Sequence, residues 1–165
     1  MSAAGASGGT GPGDSRPALE VAASVVVAAD VDRVFAGLTA FDRQGEWIPF
    51  TTVRVLAGDG REGSRIEAVT SVGPLVIRDL MRVTRFDPPY EVGVVHEGRL
   101  LRGPGAFRCA PVGRDRTHVV WHEWFHLPGG PLGRAVAPVL WPGSRAGLTY
   151  ALRRFARLVE QGRLP

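Results

Sequence analysis

The sequence is poor in residues that could cross-link the chain. Its 165 residues include one cysteine, Cys109, so no disulfide can form within the chain. A free cysteine usually packs as a small apolar residue, and this cysteine usage fits a reducing compartment. We therefore expect a cytoplasmic protein that relies on an ordinary hydrophobic core.

Long apolar runs are also absent. No run approaches the roughly 18 residues that a membrane-spanning helix needs, so we expect no integral membrane segment. Residues 1–17 are rich in Gly, Ala and Ser, without the basic start and apolar stretch of a secretory signal. We interpret them as a disordered tail before one domain, residues 18–165, which is long enough for one sizeable core.

Lysine is missing altogether, because all 20 basic residues are arginine. A net charge of +4 is weak evidence for any particular partner. The arginines are scattered from Arg16 to Arg163 and accompany no basic-aromatic module of the kind that binds RNA or DNA. We predict no nucleic-acid partner.

What the sequence does have is a series of seven strand-like segments, rich in β-branched residues with a period of two. They are Leu19–Ala28, Thr51–Ala57, Arg65–Ser71, Leu75–Phe86, Glu91–Glu97, Gly105–Ala110 and Thr117–Leu127. From the second segment on, the separators are short turn sequences such as Gly58-Asp59-Gly60 and Gly103-Pro104-Gly105. A parallel crossover needs a dozen residues or more, so these separators predict an antiparallel meander.

Helical periodicity appears on both sides of this meander. Asp30 is placed to cap a short helix, and a second helical stretch, Phe41–Trp47, must end before Pro49. After the last strand come two apolar stripes at helical spacing, with Pro138 and Pro142 breaking the first. The stripes are Leu132, Val136 and Leu140, then Leu148, Leu152, Phe155 and Leu158 or Val159. Arg153, Arg154, Arg157 and Glu160 lie opposite the second stripe, which is most simply a solvated face.

Five stretches of the sequence have a recognisable pattern: Val25 to Phe35, Glu46-Trp47-Ile48-Pro49, Arg82 to Tyr90, Thr117 to Trp121, and Pro131-Leu132-Gly133-Arg134. Together they resemble the START-like helix-grip superfamily, and its polyketide cyclase/dehydrase-like (SRPBCC) branch in particular. The resemblance covers about Leu19 to Gln161. It implies an α+β fold in which a curved antiparallel sheet of about seven strands surrounds a long C-terminal helix, with two short helices after the first strand. It also implies an internal apolar cavity, but no single reaction, because one fold hosts many functions.

Strand alternation sorts the side chains that would face this cavity. The more apolar face of each strand is taken as the inner face, and the second helical stripe closes the hollow. The predicted ligand-binding residues are Trp121, Phe125, Phe107, Met81, Ile77, Val94, Leu148, Leu152 and Phe155. Such a lining suits a hydrophobic small molecule.

Three titratable residues fall on the same inner faces: Glu123, Asp79 and His96. A buried carboxylate without partners is costly, so these groups should pair with one another, with an arginine, with water or with a ligand. They are candidate catalytic residues, because acids with perturbed protonation cluster at active sites. The alternative is a structural role, in which each is satisfied by a nearby arginine or lies at the wet rim of the sheet.

Other groups of residues give weaker evidence for a functional site. His118, His122 and His126 are four residues apart, which on a strand is roughly 13 Å, too far for neighbours to share an ion, so we predict no metal site. The sequence lacks a Gly-x-Ser-x-Gly elbow and a phosphate-binding loop with its lysine, and we expect no cofactor. Trp124 on the outer face leaves a homodimer contact open.

Three functions remain. The first is a carrier that binds a hydrophobic small molecule, a lipid or a polyketide-like aromatic. The second is a cyclase, aromatase or dehydratase that uses Glu123, Asp79 or His96 for proton transfer. The third is a protein-interaction module acting through the outer sheet face around Trp124, which a filled core without a cavity would favour.

Overall fold

The computed structural model describes residues 19–99, 101–125 and 142–165. Seven strands occur in these residues: β1 (Leu19–Val27), β2 (Thr51–Ala57), β3 (Arg65–Val72), β4 (Leu75–Asp87), β5 (Glu91–Glu97), β6 (Arg102–Pro111) and β7 (Thr117–Phe125). The helical elements are α1 (Val31–Thr39), a 3-10 helix (Phe41–Glu46) and α2 (Pro142–Glu160). The predicted α+β helix-grip architecture is confirmed.

The strands form one antiparallel sheet in the order β1-β7-β6-β5-β4-β3-β2. Strands β2 to β7 make the predicted meander, in which each strand pairs with the next along the chain. Strand β1 pairs with β7, in a register that runs from Leu19 opposite Phe125 to Val27 opposite Thr117. The inner face of this sheet and α2 enclose the core.

The short helices begin and end where the sequence indicates. The Asp30 carboxylate accepts a hydrogen bond from the Arg33 backbone N–H at 2.9 Å, which satisfies one of the unpaired donors at the start of α1. The 3-10 helix ends at Glu46, before Pro49. In α2, Leu152, Phe155 and Val159 recur at helical spacing and are fully buried.

Strand β6 begins earlier than predicted. The sequence predicts a strand from Gly105, with Gly103 and Pro104 in the turn before it, yet both of these residues lie within β6. Proline lacks a backbone N–H and is tolerated where a strand is paired on one side. Pro104 pairs with Val95 of β5, while the ladder to β7 starts only at Gly105, opposite Glu123.

Several predictions fall on residues that the structure does not describe. The tail 1–17, the stripe Leu132, Val136 and Leu140, and the residues His126, Leu127 and Pro138 lie outside the described ranges. Pro142 is described, and it is the first residue of α2, a position where its missing N–H costs no hydrogen bond. In the described ranges, no helix has the length and apolar character required to cross a bilayer.

Candidate functional site

A cavity of about 520 Å³ lies between the inner face of the sheet and α2. Its walls are mainly apolar side chains, which suits an oily ligand with a few polar anchors. Six of the nine predicted ligand-binding residues line it: Trp121, Phe125, Phe107, Met81, Val94 and Leu148. The interior is therefore not filled by side chains.

The other three predicted ligand-binding residues do not border the cavity. Leu152 and Phe155 are fully buried in the core, because the cavity borders only the part of α2 nearer its start, at Gly147, Leu148 and Ala151. Ile77 is half-buried and does not border the cavity. Alternation identifies the inner face of a strand, but not how far along the strand the hollow extends.

One wall of the cavity was not predicted. It comes from the 3-10 helix, the segment after it, and the inner faces of β2 and β3. Its residues are Phe41, Gln44, Ile48, Pro49, Phe50, Thr51, Val53, Ile66, Ala68 and Thr70. The alternation of Ile66, Ala68 and Thr70 was a usable signal, since β3 neighbours β4 in the predicted meander.

A cluster of aromatic rings packs around Trp47 and includes two residues that line the cavity, Phe107 and Trp121. Trp47, fully buried, has its ring centroid 5.2 Å from that of Phe155, 5.8 Å from Trp121 and 6.0 Å from Phe107. Edge and tilted contacts of this kind stabilise aromatic pairs beyond their buried area. These ring contacts thus join the residue after the 3-10 helix, α2, β6 and β7, and they hold the Trp121 ring in its orientation.

The three predicted titratable residues meet inside the cavity. His96 Nδ1 lies 2.7 Å from Asp79 Oδ2, and His96 Nε2 lies 2.9 Å from Glu123 Oε2. Trp121 donates its indole N–H to Glu123 Oε1 at 2.6 Å. Asp79, His96 and Glu123 are each no more than 7% exposed. We call these three residues and Trp121 the polar cluster.

The protonation of His96 follows from this geometry. Burial alone would lower its pKa, but hydrogen bonds to Asp79 and Glu123, together with their negative charges, outweigh burial and raise the pKa to about 10. The imidazolium form then donates one N–H to each carboxylate. With both acids ionised, the cluster carries one positive and two negative charges.

Pairing with arginine was the alternative expected for the inner acids, but it occurs at another acid, Glu67. Glu67 is buried on the outer face of the sheet, where Arg54 lies 2.7 Å away and Arg78 3.1 Å away. Within the described residues, no arginine forms an ion pair with Asp79 or Glu123, and His96 is their charged partner. Neither acid lies at a wet rim.

The polar cluster depends on a glycine, Gly105, which has no side chain. Glu123 in β7 lies directly opposite Gly105 in β6, and His96 is on β5, the next strand. A Cβ atom at position 105 would overlap the Glu123 carboxylate. Glu123 therefore reaches across β6 to His96 through space that only glycine leaves open.

We expect Gly105→Ala to lower the free energy of unfolding by about 1–3 kcal/mol, because the new methyl group must displace the Glu123 carboxylate. Urea denaturation measures this. Gly147→Ala is the comparison variant: a Cβ there meets nothing within 4 Å, and alanine favours a helix, so its free energy of unfolding should not fall. An unchanged stability for Gly105→Ala would contradict the packing described for Glu123.

The remaining candidate groups lie away from the cavity. His122 is hydrogen-bonded to Glu20 at 2.7 Å and stacks on Trp124 on the outer face, with ring centroids 3.7 Å apart. Cys109 is buried in the core, which raises its pKa to about 12 and leaves it a poor nucleophile. In the described part of the chain, no three His, Cys, Asp or Glu side chains are grouped to hold a metal ion. A homodimer through Trp124 stays a prediction.

Known structures share this fold. The protein TTHA0849 from Thermus thermophilus superposes with a TM-score of 0.75 at 18% identity, over 87% of this chain and 99% of that one. The ZhuI aromatase/cyclase from Streptomyces sp. R1128 gives a TM-score of 0.74 at 16% identity, over 87% and 94% of the two chains. A point mutant of norcoclaurine synthase from Thalictrum flavum gives 0.69 at 15% identity, over 88% and 96%. At these identities the likeness concerns the fold alone.

Sequence comparison identifies the family. A search of curated proteins gave no match. The family model described as polyketide cyclase/dehydrase and lipid transport, however, matches residues 18–160, which is nearly the whole chain. The chain belongs to the polyketide cyclase/dehydrase and lipid transport family.

Proposed function

We propose that the protein binds a hydrophobic small molecule, a lipid or a polyketide-like compound, in the cavity between the sheet and α2. The observation that carries the proposal is the cavity itself: about 520 Å³ lined mostly by apolar side chains, with one polar cluster at its wall. A volume of this size is within the range of small-molecule sites. Membership of a family that includes cyclases and lipid transporters supports the same function.

The cavity also bears on the interaction-module hypothesis. That function requires no internal hollow, and a core filled by side chains would have favoured it. The outer face offers Trp124, but His122 already covers part of its ring. Ligand binding is therefore the better supported of the two.

Native mass spectrometry of the purified protein tests the proposal. We expect a bound species that accompanies the folded chain and is released on denaturation, because the apolar lining gains free energy by excluding water. A second measurement adds a hydrophobic probe, dodecanol, to the purified protein and follows Trp fluorescence, since Trp121 borders the cavity. No bound species and no saturable response to dodecanol would refute the proposal.

A second candidate function is proton-transfer catalysis, as in a cyclase, aromatase or dehydratase. It is favoured by the placement of Glu123, Asp79 and His96 at the cavity wall rather than at the protein surface. General acid–base catalysis works best when the catalytic pKa lies near the working pH. His96, with its pKa raised to about 10, holds its proton too firmly to be a base at neutral pH, so a carboxylate, Glu123 first, would accept the proton.

Glu123→Gln separates the two functions. The amide cannot accept a proton as a carboxylate does, so a catalyst should lose turnover by about 10²-fold or more. A carrier should keep its affinity for a neutral hydrophobic ligand within a few fold. The measurements are turnover of a polyketide-like substrate and dodecanol affinity on the same preparation. Full turnover by the variant would remove Glu123 as the catalytic group.

A further inference from the structure

The charges that face the cavity are unevenly distributed. Among the described lining residues, the charged groups are the carboxylates of Asp79 and Glu123 and the imidazolium of His96. No arginine borders the cavity in the described part of the chain, although the protein as a whole is basic. The wall thus carries two negative charges against one positive charge.

His96, the cation among the described lining residues, is not available to a ligand. His96 uses both ring nitrogens, one toward Asp79 and one toward Glu123, at 2.7 and 2.9 Å. To bind an anionic ligand, His96 would have to abandon a carboxylate that is itself buried. That exchange leaves an unpaired buried charge, which is strongly unfavourable.

The neutral donors on the wall are also engaged. The Trp121 indole N–H is donated to Glu123, and the Gln44 side-chain nitrogen donates to the Leu38 carbonyl at 2.8 Å. The Thr51 hydroxyl donates to the Pro49 carbonyl, so the Thr70 hydroxyl can donate to Thr51. One acceptor on the wall, in contrast, is free: within the described residues Asp79 Oδ1 is buried without any hydrogen-bond partner. The Trp47 indole N–H also lacks a partner there, but Trp47 does not border the cavity.

We propose that the cavity selects ligands that are neutral or positively charged and carry hydrogen-bond donors, such as hydroxyl or ammonium groups, and that it disfavours anionic ligands. The proposal rests on the proposed ligand-binding function and narrows its ligand class. Among the described lining residues, carboxylates, phosphates and sulfates on an otherwise suitable apolar body meet two negative charges and no free cation. Alcohols, phenols and amines meet acceptors.

Three probes with one apolar body test the selectivity: 2-naphthalenemethanol, 2-(aminomethyl)naphthalene and 2-naphthoate. Their affinities are measured by isothermal titration calorimetry at pH 7.5, where the amine is protonated and the acid ionised. We expect the amine and the alcohol to bind at least about 10-fold more tightly than the carboxylate, because a charge brought within several ångströms of the cluster is poorly screened.

Two variants assign the selectivity to the polar cluster. Glu123→Gln removes one of the two negative charges, so the ratio of alcohol affinity to carboxylate affinity should fall several-fold. Glu67→Gln makes the same chemical change in a buried acid on the outer face, paired with Arg54 and Arg78, and should leave the ratio of affinities unchanged.

The outcomes distinguish this inference from the proposed function. Equal or tighter binding of 2-naphthoate would overturn the charge selectivity and leave ligand binding intact. A ratio that moves equally in Glu67→Gln and Glu123→Gln would also overturn it. If none of the three probes binds, and dodecanol does not either, both proposals fail together.

Discussion

His96→Ala is expected to lower the free energy of unfolding at pH 7.5 by about 3–5 kcal/mol, the range typical of breaking a buried ion pair by removing one partner. The substitution deletes the cation between Asp79 and Glu123, which are 7% and 6% exposed, and leaves two carboxylates facing each other away from water. It also removes the contact between the His96 and Phe125 rings, whose centroids are 5.1 Å apart. Urea denaturation followed by far-UV circular dichroism measures the loss.

A combined variant isolates the charge effect. In His96→Ala, Asp79→Asn, Glu123→Gln, no charge remains in the cluster, so at least half of the lost stability should return even though the cavity is larger. Neutral groups are far less costly to bury than ionised ones. A single His96→Ala variant that loses less than about 1 kcal/mol would show that the three side chains do not form the charged network described above.

Stability should fall as pH rises from neutral toward 10. The pKa of His96 is about 10 in the folded protein and roughly 6.5 when the chain is unfolded. Below pH 6.5 both states hold the proton and the stabilisation is fully present. Between these values only the folded state holds it, so the free energy of unfolding decreases by up to about 1.4 kcal/mol per pH unit. The whole contribution is lost once the pH passes 10.

Equilibrium unfolding between pH 6.5 and 8.5 measures this slope in a range where the thiol contributes little. Cys109, whose pKa is raised by burial to about 12, adds a loss of the same sign that grows as the pH approaches and passes about 9, the ordinary pKa of a thiol. A Cys109→Ala background removes that contribution, and His96→Ala should lack the negative slope. A stability that stays level from pH 6.5 to 8.5 in the Cys109→Ala protein would contradict a protonated His96.

The sheet could be predicted closely because its signals are local. Alternation and turn residues predicted the limits of β1 to β5 to within one residue, and short connections fixed the antiparallel order. Strand β6 was the exception. Gly103 and Pro104 are turn residues by composition, and only the observed pairing with β5 shows that they continue a strand.

The inward direction of Asp79, His96 and Glu123 was also accessible from the sequence, since a period of two decides which face a side chain occupies. Their mutual pairing was not. It depends on strand register, which aligns Gly105 with Glu123 and Met81 with His96. A shift of one residue would send each of these side chains to the opposite face.

The limits of the cavity were the least predictable feature. Leu152 and Phe155 share an apolar stripe with Leu148, yet only Leu148 borders the hollow. Which part of a stripe meets other side chains and which part meets empty space depends on how the helix lies over the sheet. Sequence periodicity describes a helix face but carries no information on that placement.

Gly105 offers a way to find the same arrangement in other proteins of this fold. The charged residues of the polar cluster and Gly105 lie on four adjacent strands. An acid is on β7, the glycine is directly opposite it on β6, a histidine is on β5 and a second acid is on β4. Because any larger residue at the glycine position closes the passage, the four positions act as one unit. A chain that keeps both acids and the histidine but carries a side chain in place of the glycine should be unable to join them, however similar its backbone.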